Sequence, residues 1–205
     1  MVLVRRDGAR SVALPWVAPR AREALAQTAR VLARGAAGVD AGWLEQLCAF
    51  GGAERHPSGA AVSVGFVGVV GASATDGATA KGGARGAKGG EWVALADLAG
   101  LAPRQAAMME AAIDAVRGRL DHSPIAFKLL PATFTLSELQ GTYELLLDRR
   151  LHKASFRRSL QAAYLVEPTD EWRSEGRGRP AQLYRYAPRK RRSSRRGVRF
   201  ELLAT

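Results

Sequence analysis

The chain has 205 residues and a formal net charge of +12, with a pI near 10.9, a length that fits one large domain or two small ones. A hydrophobic fraction of 47% is ordinary for a protein that buries a core, which excludes wholesale disorder and fibrous repeats. The lone Cys48 excludes a disulfide scaffold and a thiolate zinc ribbon, and no apolar run reaches the ~20 residues of a membrane helix, so a soluble, reducing, cytoplasmic setting without membrane contact is expected.

In chain order, residues 1–6 (MVLVRR) alternate like a short strand, and Asp7-Gly8 is a turn signal. Residues 23–37 (EALAQTARVLARGAA) are predicted helical, with Leu25, Ala29 and Leu32 on one stripe and Gly38 just past the end. Residues 43–50 (WLEQLCAF) and 61–70 (AVSVGFVGVV) read as strands around a turn-rich connection. Gly and Ala dominate residues 71–90, which offer little that packs and are expected to form a mobile loop. Order resumes at Trp92, and residues 103–120 predict a second helix with Met108, Ala112 and Val116 inward and Pro103 near its start, where a missing N–H costs nothing.

Residues 135–148 (TLSELQGTYELLLD) give the clearest helix signal. Thr135 and Glu138 have the spacing of a capping box, and Leu136, Leu139, Tyr143 and Leu146 form one apolar face. After Arg149-Arg150, residues 152–163 (HKASFRRSLQAA) place Phe156, Leu160 and Ala163 inward and Lys153, Ser155, Arg157 and Arg158 on the opposite faces, with His152 as a helix-start residue. Two such helices joined by a short turn make a helix-turn-helix. Residues 164–167 start a strand that 182–186 (QLYRY) can pair with, and EGRGRP between them makes a Gly-rich tip carrying Arg177 and Arg179. A hairpin with an arginine tip directly after a recognition helix is a wing, in which Trp172, Tyr184 and Tyr186 are expected to pack.

The charge follows this division. Residues 1–100 carry 11 basic and 8 acidic side chains; residues 149–199 carry 16 basic against 4 acidic, a balance equal to that of the whole chain. A polyanion is the natural partner of such a module, because Lys and Arg that neutralise phosphates release condensed counterions.

The run SPIAFKLLPATFTLSELQGTYELLLDRRLHKASFRRSLQAAYLVEP, followed by GRGRPAQLYR, closely resembles the C-terminal winged helix of the Nudix-related transcriptional regulators, the NrtR family. Its motifs LLP-x-x-FTL-x-EL, FRR and GRGRPA-x-LYR are specific in combination. The resemblance implies an α+β chain: a degenerate Nudix-like α/β sandwich over residues 1–120 for sensing and dimerisation, a winged helix-turn-helix over 121–187, and a basic tail over 188–205. It implies a homodimeric, nucleoid-associated bacterial repressor, commonly of NAD-metabolism operons, that binds double-stranded DNA and senses ADP-ribose or a related nucleotide. Family members usually have another strand ahead of this chain's first residue, so either the first sheet lacks that strand or the start lies upstream.

An active Nudix box, R-E-U-x-E-E-x-G-U with U aliphatic, projects glutamates from one helix to hold a divalent metal on a diphosphate. The corresponding stretch here is RVLARGAAGV, with Val31, Arg34 and Gly35 near the acidic positions, so neither a metal site nor hydrolase activity is expected. Glu23 alone suits the dipole of a helix's first turn rather than catalysis. Arg20, Arg22 and Arg30 are candidates for holding a diphosphate or simply face water. The segment GLAPRQAAMM, residues 100–109, lacks the Phe-Asp-His stretch that family members often show there, which puts ADP-ribose binding in question. The competing readings are a Nudix-type nucleotide diphosphatase with a non-standard metal site and a general nucleic-acid-coating basic protein.

The expected DNA contacts are Lys153, Ser155, Arg157 and Arg158 on the recognition helix and Arg173, Arg177, Arg179 and Tyr184 in the wing. Arg157 or Arg158 can offer two parallel N–H donors to guanine O6 and N7, and spacing leaves open which one reads a base. The polybasic tail is either an arm adding sequence-independent affinity or a solvating segment.

Overall fold

The computed structural model describes residues 2–7, 11–52, 54, 56–71, 90–121, 123–174 and 180–187. Residues 72–89 of the predicted 71–90 loop, residues 175–179 of the predicted 175–180 wing tip with Arg177 and Arg179, and the tail at 188–205 lie outside the described residues, while Gly90, expected in the loop, opens a strand. The chain divides into two compact units, Met1–Ala115 and Val116–Thr205.

In the first unit, β1 (Val2–Asp7) is the middle strand of an antiparallel sheet, with β2 (Ser11–Ala13) on one side and β5 (Gly90–Val93) on the other. Val4 is fully buried and Trp92 nearly so; Trp92 pairs with Leu3, so the two lie on opposite faces and the sheet is covered on both sides there. β3 (Trp43–Phe50) and β4 (Ser63–Val69) form a separate antiparallel pair with an irregularity between Gln46 and Ala49. Gly65 leaves room for a neighbouring ring: a Cβ at that position would lie 2.7 Å from Phe50 Cε2 and would push that ring aside.

Helix α1 (Leu25–Ala37) ends where Gly38 takes φ 79° and its N–H donates to the Arg34 carbonyl, the left-handed stop expected from the sequence. It begins two residues later than predicted. Ala24 offers no side-chain cap, and Arg22, at φ 67°, sits in a turn that leaves Glu23 outside the helix. Leu25 is exposed rather than inward, and Ala36 is the buried residue of the helix. A single 3-10 turn, Leu95–Asp97, precedes α2 (Pro103–Arg119), in which Met108 is buried and Ala112 and Val116 are half-buried.

In the second unit the order is α3 (Ile125–Leu129), β6 (Thr133–Phe134), α4 (Leu136–Leu147), α5 (Lys153–Ala163), β7 (Val166–Arg173) and β8 (Ala181–Tyr186). The strands pair antiparallel in the order β6-β8-β7. Helices α4 and α5 with the β7–β8 hairpin realise the predicted helix-turn-helix and wing. α3 and β6 are too short for a periodic signal and were not expected from the sequence pattern. Their residues Ala126, Phe127 and Phe134 join Leu136, Leu139, Tyr143, Leu151, Phe156 and Leu160 in one core. Each leucine and phenylalanine among them contributes ~1.5 to 3 kcal/mol of burial free energy. The rings interlock: Tyr143 meets Phe156 edge-on at 5.5 Å, and Phe127 lies 4.4 Å from Tyr186 and 5.8 Å from Phe134.

Candidate nucleic-acid interface

The capping box read from the sequence starts the helix-turn-helix. Thr135 Oγ1 accepts the Glu138 N–H at 3.1 Å, and Glu138 Oε2 accepts the Thr135 N–H at 2.6 Å. At the other end of α4, Asp148 adopts a left-handed conformation, φ 55°, and turns the chain toward α5. This turn is held by two side chains that sequence reasoning did not single out. Glu144 Oε1 accepts the Leu151 N–H at 2.9 Å, and Gln140 donates both to that oxygen and to the Leu151 carbonyl at 3.0 Å. The Leu151 N–H, then Gln140 and Arg150, hold the Glu144 carboxyl below the usual carboxylate range. Their spacing on α4, one turn apart, was the available signal, but it resembles any solvated helix pair.

His152 caps α5 as expected. Its Nδ1 accepts the Ser155 N–H at 3.4 Å and lies 3.0 Å from Ser155 Oγ. Phe156 and Leu160 are fully buried, which rotates the basic face outward. Lys153 and Arg158 are exposed. Ser155 is half-buried beside the cap, and Arg157 is half-buried with its Nε shielded and without a hydrogen-bond partner. The structure thus separates two arginines that the sequence left equivalent: Arg158 reaches solvent, while the stem of Arg157 lies along the domain.

In the wing, Trp172 is 58% exposed, correcting the expectation that it packs. The β7–β8 ladder is irregular between Pro168 and Trp172. Tyr184 is half-buried against the core, and its hydroxyl donates to Gln182 Oε1 at 3.3 Å. Arg173, expected on DNA, is drawn into the domain: its Nη1 lies 2.6 Å from Glu138 Oε1, and Nη2 donates to the Thr133 carbonyl at 3.4 Å. Arg185 pairs with Glu167 across the strands at 3.2 Å.

The first unit shows a different chemistry. No acidic residue stands in the first turn of α1, and the described residues hold no group of three or more His, Cys, Asp and Glu side chains that could bind a metal ion. The expected diphosphate candidates Arg20, Arg22 and Arg30 are exposed. At the start of α2, Arg104 and Gln105 build a buried polar cluster that sequence reasoning did not anticipate. Gln105, fully buried, accepts the Leu14 N–H at 3.1 Å and donates to the Leu14 carbonyl at 3.4 Å, with its Nε2 3.1 Å from His56 Nε2. His56 Nδ1 accepts the Ser58 N–H at 3.2 Å, and Trp16 meets the ring edge-on. Arg104, 4% exposed, donates to the carbonyls of Gly52, Glu54 and Ala60 and so straps the β3–β4 connection onto α2. Burial first, and then the Arg104 charge, hold the His56 imidazole below its ordinary value.

Residues 126–186 match the model of the NrtR DNA-binding winged helix domain. The chain is 28% identical to Shewanella oneidensis NrtR in a crystal structure with a 27mer DNA, with a TM-score of 0.73 over 91% of this chain and 86% of that one. The second unit thus carries a winged helix of the NrtR type, and the chain as a whole is similar to NrtR in sequence and fold. A curated NrtR-type relative, the ADPR responsive transcriptional repressor NtrR of Acinetobacter baylyi, is 32% identical over 152 residues, 73% of this chain. The chain spans 58% of that repressor's length. A MutT/nudix family protein from Enterococcus faecalis superposes with a TM-score of 0.60 at 16% identity, covering 90% of this chain and 78% of that one, a likeness of fold alone. The NrtR-type winged helix is therefore the second unit, and the fold as a whole is the Nudix-related one inferred from the motifs.

Proposed function

We propose that this NrtR-family chain is a sequence-specific transcriptional repressor that binds a palindromic operator as a homodimer. The recognition helix α5 enters the major groove with Lys153, Ser155, Arg157 and Arg158, and the wing tip brings Arg177 and Arg179 to the flanking backbone, with Tyr184 behind it. The observation that carries this reading is the exposed basic face of α5 on a helix-turn-helix whose buried face is complete. The first unit serves as a sensor for ADP-ribose or a related nucleotide, a reading supported by the ADPR-responsive relative. It is not a hydrolase: α1 reads LAQTARVLARGAA, without a carboxylate to hold a metal on a diphosphate.

The test is a gel-shift titration against a duplex that the wild-type chain enriches from a random-sequence library. A regulator prefers that duplex over mixed-sequence DNA by ~10³ or more. The combined Arg157, Arg158, Arg177 and Arg179 alanine variant loses the preference; unchanged binding by that variant refutes the reading. ADP-ribose shifts the binding curve, and incubation with Mg²⁺ or Mn²⁺ leaves it intact.

A further inference from the structure

We propose that Arg173 is the positioning residue of the wing: it pins the end of β7 to the capping box of α4, and thereby sets where the arginine-bearing tip meets DNA. The proposal rests on the DNA-binding reading above.

Arg173 and Ala181 form the last paired position of the β7–β8 ladder before the tip. Whatever holds Arg173 therefore holds the base of the tip. Its side chain turns toward the helix-turn-helix while that of its neighbour Trp172 stays exposed. One end of the guanidinium meets Glu138 Oε1 at 2.6 Å, and the other reaches the Thr133 carbonyl of β6 at 3.4 Å. The Glu138 carboxylate is shared, because its second oxygen accepts the Thr135 N–H that opens α4. One carboxylate thus joins the helix that carries the recognition turn to the strand that carries the wing.

The charges argue the same way. Both side chains are about one-third exposed, so the pair is shielded from solvent more than a surface pair is. A phosphate contact by Arg173 would have to break this pair and leave Glu138 bare beside a polyanion. Paired, Arg173 contributes no net positive charge to counterion release and instead neutralises a carboxylate that DNA would repel. The sequence placed Arg173 among the contacts because an arginine near a wing tip is indistinguishable by spacing from one on a phosphate.

The experiment uses the full chain, the duplex enriched by wild type, and a mixed-sequence duplex. It compares Arg173→Ala, Glu138→Gln, the double variant and Arg173→Lys. Glu138→Gln keeps an oxygen for the Thr135 N–H while removing the ion pair, so α4 stays capped; circular dichroism establishes that each variant is folded at the binding temperature. Each of Arg173→Ala and Glu138→Gln is expected to lower affinity for the enriched duplex about tenfold, with the double variant no worse than either. Because the tip arginines meet phosphates, mixed-sequence affinity and the slope of log affinity against log salt fall in parallel in both single variants, and Arg173→Lys recovers part of the loss. A salt slope lowered by ~0.9 in Arg173→Ala while Glu138→Gln binds as tightly as wild type or tighter would place Arg173 on a phosphate and overturn the proposal. Additive losses, or no loss in either single variant, also overturn it. A wild-type chain that enriches no duplex refutes the DNA-binding reading itself, a result visible before any variant is made.

Discussion

Replacing Arg158 by alanine should weaken DNA recognition and leave folding almost untouched. Arg158 is exposed, on the face of α5 opposite the buried Phe156 and Leu160, so its loss opens no cavity and strands no buried partner. Stability should therefore stay within ~0.5 kcal/mol of wild type. If Arg158 offers two N–H donors to a guanine, the variant loses ~1 to 3 kcal/mol of binding to the enriched duplex, roughly 5- to 150-fold. Affinity for duplexes altered at the contacted base pair should hardly change, so that the preference there flattens. The assay is a set of fluorescence-anisotropy titrations at fixed salt, with the variant and wild type each against the enriched duplex and its single-pair substitutions. Arg157→Ala supplies the contrast, because the half-buried stem of Arg157 also covers apolar surface and its removal lowers the melting temperature. Loss of binding by the same factor on every duplex would put Arg158 on a phosphate, and undiminished binding would refute its place in the interface.

Three further outcomes follow from the geometry. Phe156→Ala removes a fully buried ring stacked edge-on against Tyr143 and should cost ~3 to 5 kcal/mol in urea titrations; a loss below ~1 kcal/mol would show that α5 is not anchored by this core. Thr135→Ala abolishes half of the capping box and should cost ~0.5 to 2 kcal/mol, visible also as faster amide exchange at Glu138, whose N–H loses its acceptor. His56 is held below its ordinary value of 6.5 by burial and by Arg104, so the unfolded chain binds its proton more readily than the folded one. Its contribution is complete above that ordinary value and is lost as pH falls from there through the lowered folded value. Urea midpoints between pH 8 and pH 5 should decline less in His56→Gln than in wild type, and parallel declines would refute the assignment.

Much of the second unit was legible because its signals are local. Thr135 and Glu138 carry the spacing of a capping box, Phe156 and Leu160 lie one helical turn apart, and the glycines after Arg173 mark a hairpin tip. α3 and β6 escaped notice because five and two residues are too few to display a period. The first unit was less legible. Its α1 stripe mispredicted Leu25 as inward, since Ala24 provides no cap and the helix starts late. Its buried Arg104, Gln105 and His56 are residue types that composition assigns to the surface.

Sequence by itself determined the NrtR-type winged helix, the placement of the basic charge and the lack of carboxylates along α1, since each depends on residue identity and short spacing. Only the tertiary structure decided which charges face outward. Arg157, Arg158 and Arg173 are the same side chain in a string of letters. Burial of Phe156 sends Arg158 to solvent, and the stem of Arg157 lies along the domain. Glu138, brought to the end of β7 by packing of distant segments, pairs with Arg173. A contact over so many intervening residues leaves no local trace, because its cause is where the chain returns.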